Sequence, residues 1–112
     1  MKKIFLSAAV IFLAACSAKL VTPMQEDADR VKPKYPDITL TELTEGKALF
    51  EQYCGTCHGY KKPRSRSEEE WKNIVPKMVR KVNKKQPDAI DSAEQKKILK
   101  YVITMKDAPK RR

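Results

Sequence analysis

The sequence predicts an all-α fold with about three main helices. Aromatic residues make up 7% of the chain and long β-branched runs are absent, which disfavours a β-sandwich or a barrel. Three stretches instead place apolar residues at helical spacing, and two of these stretches follow a capping signal. With 112 residues, the chain has room for one domain at most, and its apolar core is thin.

The first predicted helix covers residues 41–53. One side of this helix carries its apolar residues together with a glycine: Leu43, Gly46, Leu49, Phe50 and Tyr53.

The second predicted helix begins at Ser67, which fits an N-cap because Glu70 follows three residues later. The three glutamates after Ser67 also suit the positive end of a helix. The apolar stripe of this helix consists of Trp71, Ile74, Val75, Met78, Val79 and Val82. Pro76 lies within the stripe, so we expect a kink or a break near Val75.

The third predicted helix begins near Ser92, with Gln95 three residues later in the same capping pattern. Its expected buried residues are Ile98, Leu99, Tyr101, Val102 and Met105. Pro109 and a basic tail follow. The domain is therefore expected to cover residues 41–108, and the tail to cover residues 109–112.

Residues 1–15 read as a bacterial signal peptide, with Lys2 and Lys3 before an apolar segment too short to span a bilayer permanently. The stretch Leu13-Ala14-Ala15-Cys16 resembles the lipobox of bacterial lipoproteins. That resemblance implies that Cys16 is diacylated and becomes the new N-terminus, and the alternative is an ordinary signal with a chance cysteine. Ser17 is not an aspartate, which slightly favours the outer membrane under the familiar lipoprotein sorting rule.

Residues 16–40 contain Pro23, Pro33 and Pro36 and show no sustained period. This composition predicts an extended tether between the lipid and the folded domain. The alternative is that residues 33–36 pack along the domain surface.

The stretch Cys54-Gly55-Thr56-Cys57-His58 is the attachment motif for c-type haem. Two thiols three residues apart can each add to a vinyl group of one haem, and the adjacent histidine then ligates the iron. A closed zinc site needs four ligands, and with Cys16 lipidated the chain offers three. A thioredoxin-like dithiol would open a helix, whereas this motif closes one.

Residues 40–105 resemble a small bacterial class I cytochrome c domain. The local match is Gly46-Lys47-Ala48-Leu49-Phe50, which leads into the Cys54–His58 motif. The resemblance implies that the helix before the motif crosses the last helix, with Gly46 and Phe50 meeting Ile98 and Tyr101. A glycine permits such a close approach between two helix backbones.

The sixth iron ligand is expected to be Met78. His58 is the only histidine, so a bis-histidine haem is excluded, and a methionine is the usual partner in an electron carrier. Met78 follows Pro76, whereas Met24 lies in the predicted tether and Met105 ends the last helix. Met105, a lysine and an open site remain the alternatives.

The chain carries a net charge of +10, which falls by two to +8 when Lys2 and Lys3 leave with the signal peptide. This surplus favours an acidic redox partner or an anionic membrane surface, and export disfavours nucleic acid. The alternative is a basic surface that serves only solubility. The expected function is one-electron transfer by a periplasm-facing lipoprotein, with no enzymatic activity. The alternatives are a haem-based ligand sensor and an electron-transfer subunit of a larger membrane oxidoreductase.

Overall fold

The computed structural model describes residues 20–54 and 62–110, and these two ranges contain helices and no strand. The elements are α1 (Gln25–Arg30), α2 (Leu40–Leu49), a π-helical turn (Phe50–Cys54), a 3-10 turn (Pro63–Ser65), α3 (Glu68–Lys85) and α4 (Ser92–Met105). The all-α prediction is confirmed over this part of the chain. Within these ranges, no helix is both long enough and apolar enough to cross a membrane.

Helix α4 is the centre of the fold, because α1, α2 and α3 all pack against it. Its last five residues, 101–105, are all buried. Because these five consecutive residues are buried on every side of α4, this end of the helix needs packing partners on every side, and α1, α2 and α3 supply them. The predicted buried residues are confirmed except for Leu99, which is half-buried, and Ile103 and Thr104 join them.

Helix α3 begins as its sequence predicts. The Glu70 backbone N–H donates to the Ser67 hydroxyl at 3.2 Å, and the Ser67 N–H donates to the Glu70 carboxylate at 3.2 Å. Hydrogen bonds to the Glu70 carboxylate from the Ser67 backbone N–H and hydroxyl, together with Arg66, lower the pKa of Glu70. Of the kink or break expected near Val75, the break is absent, since α3 continues through Pro76. Pro76 removes one backbone donor, and the carbonyl four residues earlier belongs to exposed Lys72, where water can bind it.

Helix α4 starts at Ser92 as predicted, but its N-cap is Asp91. The Glu94 N–H donates to the Asp91 carboxylate at 2.8 Å, and Glu94 accepts from the Asp91 N–H at 3.1 Å. The capping box therefore lies one residue earlier than the predicted pair of Ser92 and Gln95. A carboxylate is as good an N-cap as a hydroxyl, so the sequence pattern alone did not separate the two registers.

The segment before α2 is folded from Leu20 onward, so the expectation of an extended tether is wrong for residues 20–39. Leu20 is buried in the main core, and Ile38 forms a second small cluster with Ala28 and Leu43. Buried Asp27 binds Arg30 at 2.7 Å, and Arg30 donates to the Thr104 carbonyl at 2.8 Å. The hydrogen bond to Thr104 fixes α1 to the end of α4, and the ion pair within α1 holds the arginine.

Candidate cofactor-attachment site

The helix before the haem motif crosses α4 at Gly46. A Cβ atom built on Gly46 would lie 2.9 Å from the Tyr101 Cβ atom and closer still to the Lys97 carbonyl oxygen. Real Cβ atoms do not approach backbone so closely, so only glycine fits at this crossing. Two ion pairs border the contact, Lys100 with Glu42 at 2.7 Å and Lys97 with Glu45 at 2.5 Å. The predicted helix crossing is confirmed as geometry.

The end of α2 widens into a π-helical turn, Phe50–Cys54, directly before the rest of the motif. Such turns are rare and often occur at functional sites. Both end residues of this turn are buried, Phe50 at 1% exposure and Cys54 at 6%. The first cysteine of the motif is therefore held in the main apolar core by the helix that precedes it.

Cys57 and His58 lie outside the described residues, as does Cys16. After residues 55–61 the chain is fixed again at buried Pro63, whose carbonyl accepts from the Trp71 indole N–H at 2.8 Å. Arg64 also donates to the Ala108 carbonyl. Both borders of the motif segment are thus attached to the core.

Three aromatic rings connect the elements around the motif. The Phe50 ring lies 5.9 Å from the Trp71 ring, edge to face, and 6.0 Å from the Tyr101 ring. Trp71 and Tyr101 are fully buried, and the Tyr101 hydroxyl donates to the Val21 carbonyl at 3.4 Å. Burial raises the pKa of the Tyr101 phenol well above its usual range, and the Glu51 carboxylate raises it further. The three rings therefore fill the core, and the Tyr101 phenol stays protonated near neutral pH.

Met78 is half-buried and packs against the same core cluster that contains Cys54. It lies between two other half-buried apolar residues of α3, Ile74 and Val82, at four-residue spacing. Met105 is 2% exposed and completes the core, and Met24 is 48% exposed at the start of α1. Of the three methionines after Cys16, Met78 thus both contacts the core and stays partly exposed.

The residues present fit a planar apolar group bound at the motif. Helices α2 and α3 both pack on α4, and the π-helical turn contacts α3 through the Phe50–Trp71 pair. Partly exposed apolar side chains lie along α2, the π-helical turn and α3: Leu49, Tyr53, Ile74, Met78 and Val82. Two thiols and an imidazole are the groups that the attachment motif for c-type haem supplies, and a thioether is a common second iron ligand.

Comparison with known proteins gives no relative. No family model matches the chain. No curated protein and no solved structure matches it at a significant level. Among residues 20–54 and 62–110, no three His, Cys, Asp or Glu side chains cluster in a way that would hold a metal ion.

Sequence reasoning missed two groups that hold the site in place. One is the Pro63 carbonyl that fixes Trp71, and the other is the Thr104 carbonyl, which accepts from Arg30 and joins α1 to the end of α4. A proline shortly after the motif was the available signal for the first contact. The second contact had no signal, because pairing over 70 residues of sequence leaves no local pattern.

Proposed function

We propose that this chain is a monohaem c-type cytochrome lipoprotein that transfers single electrons between redox partners in the bacterial cell envelope. The observation that carries the proposal is the position of the Cys54–His58 motif. It directly follows a helix that crosses the C-terminal helix at Gly46, where no side chain would fit. The class I cytochrome c resemblance implies this arrangement, and the helix crossing supports it.

The attachment roles follow from the chemistry of the side chains. Cys54 and Cys57 would form the two thioether bonds, and His58 would be the proximal iron ligand. Bound haem supplies an iron that gains or loses one electron. Buried Cys54, Phe50 and Trp71 exclude water from the side of the motif that faces the core.

Met78 is proposed as the second axial ligand. Its thioether lies on the half-buried side of α3, and pairing a methionine with a histidine raises the reduction potential. Leucine matches methionine closely in volume and lacks the sulfur. Met78→Leu should therefore abolish the methionine–iron charge-transfer band, and the matched variant Met105→Leu should keep it. Loss of the band in Met105→Leu alone would move the ligand to Met105.

The first test is an absorption spectrum of the mature protein from a host that matures c-type haem. We expect a sharp reduced c-type spectrum and no shift with carbon monoxide. Cys54→Ala and Cys57→Ala should each lose one thioether. Cys16→Ser is the control, which should lose the lipid and keep the haem. A protein without covalent haem would refute the proposal, and carbon monoxide binding would instead favour a ligand sensor.

The proposed redox partner is a protein on the same side of the membrane, and an acidic one if the basic residues between Lys61 and Lys85 form its docking site. Opposite charges raise the association rate without a long-lived complex. The rate of electron transfer should then fall as ionic strength rises, and a rate that does not change with salt would contradict an acidic partner. The envelope location, with the outer membrane slightly favoured, rests on the lipobox resemblance of residues 13–16.

A further inference from the structure

The second half of α3 carries an uncompensated positive surface. Five of its residues are exposed and have no carboxylate partner anywhere in the described part of the chain: Lys77, Arg80, Lys81, Lys84 and Lys85. We call this set the α3 basic face. The first half of α3 differs, because Glu68 binds Lys34 and Lys72, and Glu70 binds Arg66.

The α3 basic face is continuous because of helix geometry. Trp71, Val75 and Val79 point into the core, so the residues on the opposite side of the helix point outward. Residues 71–87 contain no aspartate or glutamate. No acidic neighbour on α3 itself therefore neutralises the face over its last three turns.

The described structure begins four residues after Cys16, the proposed site of the lipid. Leu20 is 7% exposed, and the carbonyl of Val21 accepts from Tyr101 on α4. Cys16 precedes Leu20 by four residues, which span at most about 14 Å. A folded unit of this size is about 30 Å across. A lipid on Cys16 would therefore keep every face of the domain within about 45 Å of the bilayer surface.

We propose that the α3 basic face lies on the anionic headgroups of the membrane that holds the Cys16 lipid. This inference rests on the lipidation of Cys16 in the proposed function, and it does not require the haem. Anionic headgroups attract lysine and arginine near the surface. The short connection raises the effective concentration of the face at the bilayer, so weak contacts are sufficient.

The occupant is a lipid surface, because the membrane is always within reach of a domain attached this closely. An acidic protein is the competing occupant, and it would have to arrive by diffusion. The extended tether predicted from the sequence would have allowed the domain to move away from the bilayer. A flexible chain of 24 residues spans about 27 Å on average and far more when extended.

Lysine acetylation read by mass spectrometry tests the inference on the full lipidated protein. The protein is placed in bilayers of phosphatidylcholine alone and in bilayers that also contain phosphatidylglycerol. Lysines of the α3 basic face should react about fivefold more slowly on the anionic bilayers. Lys32 and Lys96 are also exposed and have no carboxylate partner within residues 20–54 and 62–110, so they are internal controls and should not change. High salt should restore the reactivity.

A pair of charge-matched variants separates this face from overall charge. Lys77→Gln combined with Lys81→Gln and Lys84→Gln should abolish the protection of Lys85. The control replaces Lys32, Lys96 and Lys110 by glutamine, removes the same charge and should leave Lys85 protected. Equal protection of all lysines, or none on the face, would overturn the inference. Protection that needs membrane proteins would overturn it in favour of an acidic protein.

The same mass spectra keep this inference separate from the cytochrome proposal. They report the acyl mass on Cys16 and the haem mass on Cys54 and Cys57 independently. Protein that is lipidated, protected on α3 and free of haem would refute the cytochrome and leave the membrane contact standing. Protein without an acyl chain would refute the anchor, and the membrane contact with it.

Discussion

Replacing Gly46 by alanine tests the helix crossing, because two physical effects on stability have opposite signs. Alanine is the better helix former, by about 1 kcal/mol. At Gly46, however, the new methyl group would lie 2.9 Å from both the Tyr101 Cβ atom and the Lys97 carbonyl carbon. Relief of this overlap requires α2 and α4 to separate by about half an ångström or more, and overpacking of this kind costs about 1–3 kcal/mol.

The overpacking cost less the gain in helix propensity leaves a net fall in the free energy of unfolding of up to about 2 kcal/mol for Gly46→Ala, measured by urea titration with far-UV circular dichroism. The midpoint of thermal unfolding should fall by about 4–8 °C for each kcal/mol. Thr44→Ala on the exposed side of α2 is the control, with an expected change within about 0.5 kcal/mol. If Gly46→Ala proves more stable than the parent, the helices do not touch at this point and the reasoning is wrong.

Three further predictions concern stability. Asp27→Asn should lower the free energy of unfolding by about 1–3 kcal/mol in a urea titration, because it removes the charge that pairs with Arg30. The control is Asp29→Asn at an exposed position, which should change that free energy by less than about 0.5 kcal/mol. Trp71→Phe should cost about 1–3 kcal/mol, since it leaves the Pro63 carbonyl without its donor, and an unchanged urea midpoint would contradict that bond. Above pH 10, stability should fall by up to about 1.4 kcal/mol for each pH unit, because Tyr101 ionises in the unfolded chain while burial keeps it protonated in the folded one. An alkaline titration of Tyr101→Phe should show a shallower fall, and equal slopes would refute the assignment.

The two long helices could be predicted from the sequence because their signals are local. The Ser67 and Glu70 capping box and the four-residue spacing of Trp71, Val75 and Val79 lie within one helix, so nearby residues suffice to find them. The predicted N-cap of α4, Ser92, was one residue too late because a local signal cannot separate two adjacent capping residues. Two adjacent residues could each cap the helix, and only their hydrogen bonds separate them.

The folded N-terminal segment could not be predicted in this way. Helix α1 has six residues and buries Asp27 and Ala28, so it offers no apolar stripe. Its position depends on Arg30, which reaches the Thr104 carbonyl across 74 residues of sequence. A short polar helix held by a distant carbonyl looks like a tether when composition and periodicity are the evidence.

The candidate site also combines residues that local sequence predicts with a choice that depends on tertiary structure. Cys54 and Gly46 follow from a motif and a local phrase, and the helix crossing that they imply is present. The choice of Met78 is a tertiary question, since it depends on which face of α3 meets the core. The structure places Met78 half-buried on that face, and its bond to iron stays a prediction.

The proposed lipid on Cys16 would also restrict the partner of the proposed cytochrome. With folded structure from Leu20 onward, a domain anchored at Cys16 could not move far from the bilayer, and a partner could not be reached by extending the chain. The electron would then be exchanged with a protein that lies at, or comes to, the same membrane surface. Inserting a flexible Gly/Ser segment before Leu20 should leave the haem spectrum unchanged and lower the rate of electron transfer to a membrane-bound partner, since effective concentration falls as the connection lengthens. A rate that is unchanged or higher would show that the partner is met in solution or farther from the bilayer.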